Sequence, residues 1–226
     1  MKGRFGRIRG VAFDLDGTLL DTLPDIASSG NAMLLAMGRQ PVSLETVRGF
    51  IGDGIAVLAK RLLTGRMDGE PETELFRRAL AAFEEHYSTH LSVATRPFDR
   101  VDEGLAMLRS SGLPMACVTN KPEAYACTLL DRQGMLHYFD PVIGGDSLPR
   151  RKPDPLPLLH CCALWNIPPS ELLYCGDSFN DVKSARGAGC PIVCVPYGYP
   201  GGVEVRDLGA DAIVSDVVEL AQCLSA

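Results

Sequence analysis

No apolar run in this sequence approaches the roughly 18 residues that a membrane-spanning helix needs. Positive charge is also scarce, because 22 lysines and arginines stand against 28 acidic residues and leave a net charge of −6. This balance argues against a general nucleic-acid binder and against a protein that lies on an anionic membrane. We therefore expect no nucleic-acid partner and no membrane partner.

A paired cysteine motif is missing as well. None of the eight cysteines forms a Cys-x-x-Cys pair, and Cys117, Cys175 and Cys194 lie in apolar, strand-like runs. This placement disfavours disulfides and a cysteine metal site. The start, MKGRFGRIRG, has the charge of a signal peptide, but Asp14 and Asp16 interrupt the apolar segment that would have to follow. We expect a cytoplasmic protein with reduced thiols, and we interpret the basic arm as a solvated lead-in to the first strand.

Strands and helices alternate from about residue 112 onward. The apolar runs are LPMACVT, FDPVIGG, ELLYCGDS, CPIVCVP and ADAIVS, and helix-like segments lie at 124–132, 156–165, 181–188 and 217–224. Such alternation predicts βαβ units, which build a parallel sheet with helices on both faces. A further apolar strand at 8–14 has the same character and is expected to join this sheet.

Between residues 22 and 91 the pattern is helical only. Amphipathic stretches occupy 24–37, 44–50, 55–63 and 72–91, with prolines near their starts and glycines near their ends. An insertion of this size is too long for a simple connection. We predict an α/β fold with a Rossmann-like parallel-sheet core, formed by residues 1–21 and 93–226, and an all-helical cap domain, residues 22–92, inserted after the first strand. Because ligands bind beyond the carboxyl ends of such strands, the cap would cover the site.

Polar side chains follow three of the predicted core strands, and one more precedes a core helix. These residues are Asp14 and Asp16 after the first strand, Thr119 and Asn120 after the second, Asp177 and Asp181 after the fourth, and Lys152 before the helix that precedes it. All of them are expected at one edge of the sheet. Their chemistry suits phosphoryl transfer, since a carboxylate can attack a phosphate when a divalent cation neutralises its charge.

Each of these residues fits a part of that reaction. Asp14 and Asp177 can ligate Mg²⁺, which needs only one or two carboxylates beside the substrate phosphate. Asp181 lies one helical turn further on and could orient the waters of the metal. Lys152, together with Thr119, can donate to the phosphate oxygens. Asp16 then remains as general acid for the leaving oxygen and general base for the hydrolytic water.

The motifs DLDGTLLDT, VTN, RKPDP and GDSFND, in this order and spacing, resemble the four motifs of the haloacid dehalogenase-like superfamily. The resemblance implies that Asp14 forms an aspartyl-phosphate and that Asp16 is the acid/base. It also implies that Mg²⁺ is bound by Asp14, Asp177 and the main-chain carbonyl of Asp16. Thr119 and Lys152 would hold the phosphate, and the helical insertion would be a mobile cap.

A narrower resemblance covers most of the chain. The cap segment RGFIGDGIAVLAKRLL, the core segment 151–191 and the stretch PYGYPGG are similar to bacterial phosphoglycolate phosphatases. This similarity implies a Mg²⁺-dependent phosphoric monoester hydrolase that acts on a small phosphorylated metabolite, with 2-phosphoglycolate as the expected substrate. Alternatives are a sugar-phosphate phosphatase, a pyrophosphatase or a phosphomutase of the same superfamily, or a non-enzyme such as a phospho-acceptor or binding protein.

Substrate selection within the cap is left open by the sequence. A break between cap helices at Gly52–Gly54 is either a simple turn or a loop that contacts the substrate, and the resemblance favours the loop. Arg48 and Arg61 flank this break, and either guanidinium could pair with a substrate carboxylate, although surface arginines are the commoner case.

A monomer and a homodimer are both compatible with the sequence. Asn120, at the end of the same strand as Thr119, is also expected to bind the substrate.

Overall fold

The computed structural model describes residues 6–224, so the first half of the basic arm, with Lys2 and Arg4, lies outside the described residues. The elements in chain order are β1 (Gly10–Phe13), β2 (Leu20–Asp21), α1 (Leu23–Ala36), α2 (Leu44–Phe50), α3 (Ile55–Thr64), α4 (Thr73–Thr89), β3 (Arg96–Pro97), α5 (Val101–Ser110), β4 (Met115–Val118), α6 (Glu123–Arg132), β5 (Val142–Ile143), α7 (Leu156–Trp165), β6 (Leu172–Gly176), α8 (Phe179–Ala188), β7 (Ile192–Cys194), β8 (Ala212–Ile213) and α9 (Val217–Leu224).

A six-stranded parallel sheet forms the core, in the order β5-β4-β1-β6-β7-β8. The first strand lies inside the sheet, where Phe13 pairs with Cys117 on β4 and with Cys175 on β6. All four residues of β1 are buried, as expected for a strand that is covered on both faces. The predicted α/β fold with a parallel-sheet core is confirmed.

The helices α1 to α4 follow β2 and form the inserted helical cap that the sequence predicts. Their bounds agree with the predicted stretches to within two residues at each end. Ser43 accepts a hydrogen bond from the Thr46 backbone and so begins α2, and Gly65 ends α3 at a φ of 67°. The apolar interior of the cap is continuous with that of the core, since fully buried Phe83 and Tyr87 of α4 belong to the same cluster as Phe13, and Tyr87 packs on Tyr125 of α6.

Two short strands connect core and cap, and the sequence analysis did not predict them. Strands β2 and β3 pair antiparallel, with Leu20 opposite Pro97, so the outgoing and returning linkers lie side by side. Asp25, buried at the start of α1, accepts hydrogen bonds from the Ala94 and Thr95 backbone amides and from the Thr95 hydroxyl at 2.7–3.0 Å. These hydrogen bonds connect the start of α1 to the linker that returns from the cap to the core. The exact domain boundaries, after residues 21 and 92, stay a prediction.

Three further features complete the description of the fold. Helix α5 occupies a stretch to which the sequence analysis assigned no element, and it packs on α9. Six of the eight cysteines are buried as free thiols, as the apolar runs around them predict. Among the described helices, none combines the length and the apolar character needed to cross a membrane.

Candidate active site

The carboxyl ends of β1, β4 and β6 meet at one edge of the sheet. Asp14, Thr119 and Asp177 directly follow these three strands, so the parallel register brings them together. Six of the predicted site residues line a single cavity between core and cap, namely Asp14, Asp16, Thr119, Asn120, Lys152 and Asp177. The apolar wall opposite them belongs to the cap and contains Ile26, Ile51, Ile55 and Leu58.

Three buried carboxylates form the centre of this site. One oxygen from each of Asp14, Asp177 and Asp181 lies within 4.8 Å of the other two. The ammonium of Lys152 lies 2.8 Å from Asp14 Oδ1 and 2.7 Å from Asp181 Oδ1. Lys152 is thus a buried partner of the acids. Its position after Arg150 and Arg151 in the sequence would also have been compatible with a solvated charge.

The electrostatics of the cluster reflect an excess of negative charge. Burial raises the pKa of Asp14 to about 7, in spite of the opposing charge of Lys152. Burial, together with the charges of Asp181 and Asp14, raises the pKa of Asp177 well above its usual range. One ammonium group does not balance three carboxylates. A divalent cation would balance them, and oxygen donors of this kind are what Mg²⁺ prefers, so the residues present fit the metal.

Both oxygens of Asp181 accept hydrogen bonds from protein groups. Its Oδ1 accepts hydrogen bonds from Lys152 and from the Tyr174 hydroxyl, at 2.7 and 2.9 Å. Its Oδ2 accepts from the Ser178 hydroxyl at 2.6 Å and from the backbone amides of Ser178 and Asp177. Although burial opposes ionisation, Lys152 keeps the pKa of Asp181 below its usual range. Asp181 does not line the cavity, and its observed contacts orient Lys152 and the start of α8.

Hydrogen bonds and close backbone packing fix both carboxylate oxygens of Asp177. The Thr18 hydroxyl donates to Oδ1 at 2.9 Å, and the Tyr199 backbone amide donates to Oδ2 at 2.6 Å. A methyl group at Gly17 or Gly198 would lie 2.3 or 2.4 Å from Oδ2. Glycine is therefore required at both positions by close approach, and at Gly17 also by a φ of 93°.

Asp16 lines the same cavity but has partners outside the three-carboxylate centre. Its Oδ1 accepts a hydrogen bond from the Thr22 hydroxyl at 2.5 Å and pairs with the Lys121 ammonium at 2.9 Å. Thr22 is the residue that precedes α1, so Asp16 touches the point where the chain leaves the core for the cap. The sequence analysis did not identify Lys121. Lys121 directly follows the VTN motif, and a charged residue in a loop at the end of a core strand is a candidate for the site.

The loop at Gly52–Gly54 lies against the core. The backbone oxygen of Gly52 accepts hydrogen bonds from Asn120 Nδ2 at 2.9 Å and from Asn180 Nδ2 at 3.1 Å. Asn180 also donates to Asp53 Oδ1 at 2.9 Å. Gly52 and Gly54 line the cavity, which agrees with the predicted substrate-facing loop rather than with a simple turn. Asn180, in the GDSFND motif, was not identified from the sequence.

The two arginines that flank this loop have other partners. Arg61 pairs with Asp53 at 2.6 Å and donates to the Phe50 carbonyl at 2.8 Å, so it stiffens the loop from within. Arg48 lies over the Tyr199 ring, with its guanidinium carbon 5.8 Å from the ring centroid. Neither arginine lines the cavity. Arg61 is therefore committed to the loop, whereas the buried Nε of Arg48 has no hydrogen-bond partner among the described residues, and its pairing with a substrate carboxylate stays a prediction.

Comparison with known proteins agrees with this geometry. The sequence profile of the haloacid dehalogenase-like hydrolases matches residues 11–195, which include Asp14, Asp16, Thr119, Asn120, Lys152, Asp177 and Asp181 but not Gly198 or Tyr199. The chain belongs to this hydrolase family. The resemblance in the four motifs is thereby confirmed, and the family match spans the cap as well as most of the core.

Relatives within the family carry a more specific description. The phosphoglycolate phosphatase of Thiobacillus denitrificans is 50% identical over 95% of this chain and 94% of that protein. The phosphoglycolate phosphatase of Nitrosospira multiformis is also 50% identical, over 94% of this chain and 93% of that protein. A crystal structure of a predicted phosphoglycolate phosphatase from Haemophilus somnus 129pt superposes with a TM-score of 0.90 at 32% identity, and covers 95% of this chain and 97% of that one.

Proposed function

We propose that the protein is a Mg²⁺-dependent phosphoglycolate phosphatase, which hydrolyses 2-phosphoglycolate to glycolate and phosphate. The observation that carries the proposal is the buried contact of Asp14 with Lys152, beside Asp177, at the floor of a cavity that the cap closes. Near-full-length identity of 50% to phosphoglycolate phosphatases supports the substrate. The protein is accordingly a phosphoric monoester hydrolase.

The reaction proceeds in two steps at this floor. A carboxylate oxygen of Asp14 attacks the phosphorus, the bond between phosphorus and the ester oxygen breaks, and Asp16 donates a proton to that oxygen as glycolate leaves. Asp16 then takes a proton from a water that attacks the aspartyl-phosphate, which releases phosphate and restores Asp14. Lys152 and the Thr119 hydroxyl hold the phosphate oxygens in both steps, and Asn120 supports the loop that carries them.

The metal would be held by Asp14, Asp177 and the main-chain carbonyl of Asp16. When bound, Mg²⁺ neutralises the negative charge that the phosphate ester brings toward the carboxylate nucleophile. The protein groups prepare this position, because Thr18 and Tyr199 fix the Asp177 carboxylate. The apolar cap wall excludes bulk water from the aspartyl-phosphate. A cytoplasmic location and a monomeric or homodimeric state belong to the same proposal.

A substrate panel tests the proposal. Purified protein is incubated with Mg²⁺ and 2-phosphoglycolate, hexose phosphates or pyrophosphate, and phosphate release is measured. We expect 2-phosphoglycolate to give the highest kcat/KM, and we expect EDTA or Asp14→Asn to abolish turnover. Asp68→Asn is the matched control, since Asp68 is exposed and distant from the cavity lining. A higher kcat/KM for hexose phosphates or pyrophosphate would favour the alternative activities, and no turnover of any substrate would contradict the proposal.

A further inference from the structure

Lys121 is a second buried cation in the cavity, and the reaction above gives it no role. Its side chain is 3% exposed, and its ammonium lies 2.9 Å from Asp16 Oδ1. The same ammonium lies 5.1 Å from the centroid of the Tyr87 ring, which belongs to α4 of the cap. Lys121 also lines the cavity together with Asp14 and Thr119. An ammonium group is thus held between the acid/base residue and the cap.

The chemistry of the proposed substrate limits where its carboxylate can lie. In 2-phosphoglycolate one methylene group separates the ester oxygen from the carboxylate carbon. Asp16 must come within about 3 Å of the ester oxygen to give it a proton. The substrate carboxylate then falls within roughly 6 Å of the Asp16 carboxyl group. Only a cation in this neighbourhood can pair with it.

Few positive charges meet this condition. Among the described residues that line the cavity, the two basic ones are Lys121 and Lys152. Lys152 is bound between Asp14 and Asp181 on the nucleophile side of the floor, where it serves the phosphate. Arg61 is paired with Asp53 and does not line the cavity. Of the two cations that line the cavity, Lys121 therefore remains, and it adjoins the residue that protonates the ester oxygen.

We propose that Lys121 binds the carboxylate of the substrate and thereby selects phosphorylated carboxylic acids over uncharged phosphate esters. This inference rests on the proposed function and names the residue that sets its specificity. An ammonium group has three N–H donors, of which Asp16 takes one, so a donor remains for a substrate oxygen. The contact with Tyr87 holds the ammonium at the boundary with the cap, in a water-poor setting where a charge pair discriminates strongly.

The test compares two substrates that differ only at the carboxylate. For wild type, Lys121→Met and Lys121→Arg, kcat/KM is measured with 2-phosphoglycolate and with 2-hydroxyethyl phosphate, in which an alcohol replaces the acid. Loss of a charge-assisted contact predicts that Lys121→Met lowers the ratio of the two values by about 10- to 100-fold. Lys121→Arg should retain more of the ratio than Lys121→Met. Lys60→Met, which removes an exposed cap ammonium paired with Glu70, should leave the ratio unchanged.

The ratio separates specificity from a merely structural role. If Lys121 only positions Asp16, both substrates lose activity equally and the ratio stays at the wild-type value, which would overturn the inference. If wild type itself shows no preference for 2-phosphoglycolate, the proposed function fails instead, so the two failures are distinguishable. Thermal melting verifies that each variant folds. Lys121→Gln, which keeps a hydrogen-bond donor for Asp16 but removes the charge, replaces Lys121→Met if that variant does not fold.

Discussion

Replacing Gly198 with alanine introduces a methyl group into space that Asp177 occupies. The added Cβ would lie 2.4 Å from Asp177 Cβ and Oδ2, and 2.5 Å from the backbone oxygen of Gly17. Non-bonded carbon contacts are favourable at about 3.5–4.0 Å, so one partner must move by about 1 Å. Asp177 has little freedom to do so, because Thr18 and the Tyr199 amide hold its two oxygens. A displacement of this size at a reacting site costs about 100-fold in rate.

Phosphate release measured against Mg²⁺ concentration is the assay for Gly198→Ala. We expect kcat/KM with 2-phosphoglycolate to fall by about 100-fold and the half-saturating Mg²⁺ concentration to rise, because a displaced Asp177 is a poorer metal ligand. Overpacking should also lower the stability by about 1–3 kcal/mol. Gly49→Ala is the control, since a Cβ at Gly49 meets nothing within 4 Å. Wild-type Mg²⁺ dependence and kcat/KM in Gly198→Ala would refute the reasoning.

Three other substitutions test neighbouring parts of the molecule. Asp181→Ala leaves the Ser178 hydroxyl and the Asp177 and Ser178 amides without their acceptor, so chemical denaturation should show a loss of about 3–5 kcal/mol; less than about 1 kcal/mol would contradict the assignment. Asn180→Ala removes a core donor to the Gly52 carbonyl of the cap, so KM should rise about fivefold, and an unchanged KM argues against this contact in the bound state. Burial lowers the pKa of His86 below the unfolded value, so the unfolded state binds the proton more readily and the stability should fall as the pH drops below about 6.5. His86→Gln removes this group, so Tm measured against pH should fall less steeply in that range.

The sequence predicts much of this fold because its signals are local. The cap helices show apolar periodicity with proline and glycine at their ends, and their bounds were predicted to within two residues. The catalytic acids follow apolar strands, and in a parallel sheet the ends of such strands share one edge. The sequence alone therefore places Asp14, Thr119 and Asp177 together. The stretch of α5 was left unassigned, although Val101, Leu105 and Leu108 recur at helical spacing.

Other features depend on contacts between distant segments. The β2–β3 pair joins residues about 76 positions apart, and each strand has only two residues, which is too short for a recognisable alternation. Asn180 was missed because its partner, the Gly52 carbonyl, is a backbone group in a different domain. Arg61 was a candidate by its position beside the loop, but its pairing with Asp53 is visible only in three dimensions. Side-chain partners across a domain interface leave no periodic trace in a single sequence.

The charges of the cavity link the metal to the proposed substrate. Asp14, Asp16, Asp177, Lys121 and Lys152 line the cavity, and Asp181 adds a fourth carboxylate as a partner of Lys152 outside the lining. The four carboxylates exceed the two ammonium groups by two negative charges. Burial, together with the neighbouring carboxylates, raises the pKa of Asp14 to about 7. 2-Phosphoglycolate adds further negative charge from its phosphate and its carboxylate. Because like charges repel strongly in a water-poor site, the substrate can bind tightly only when a divalent cation offsets the excess and Lys121 meets the carboxylate.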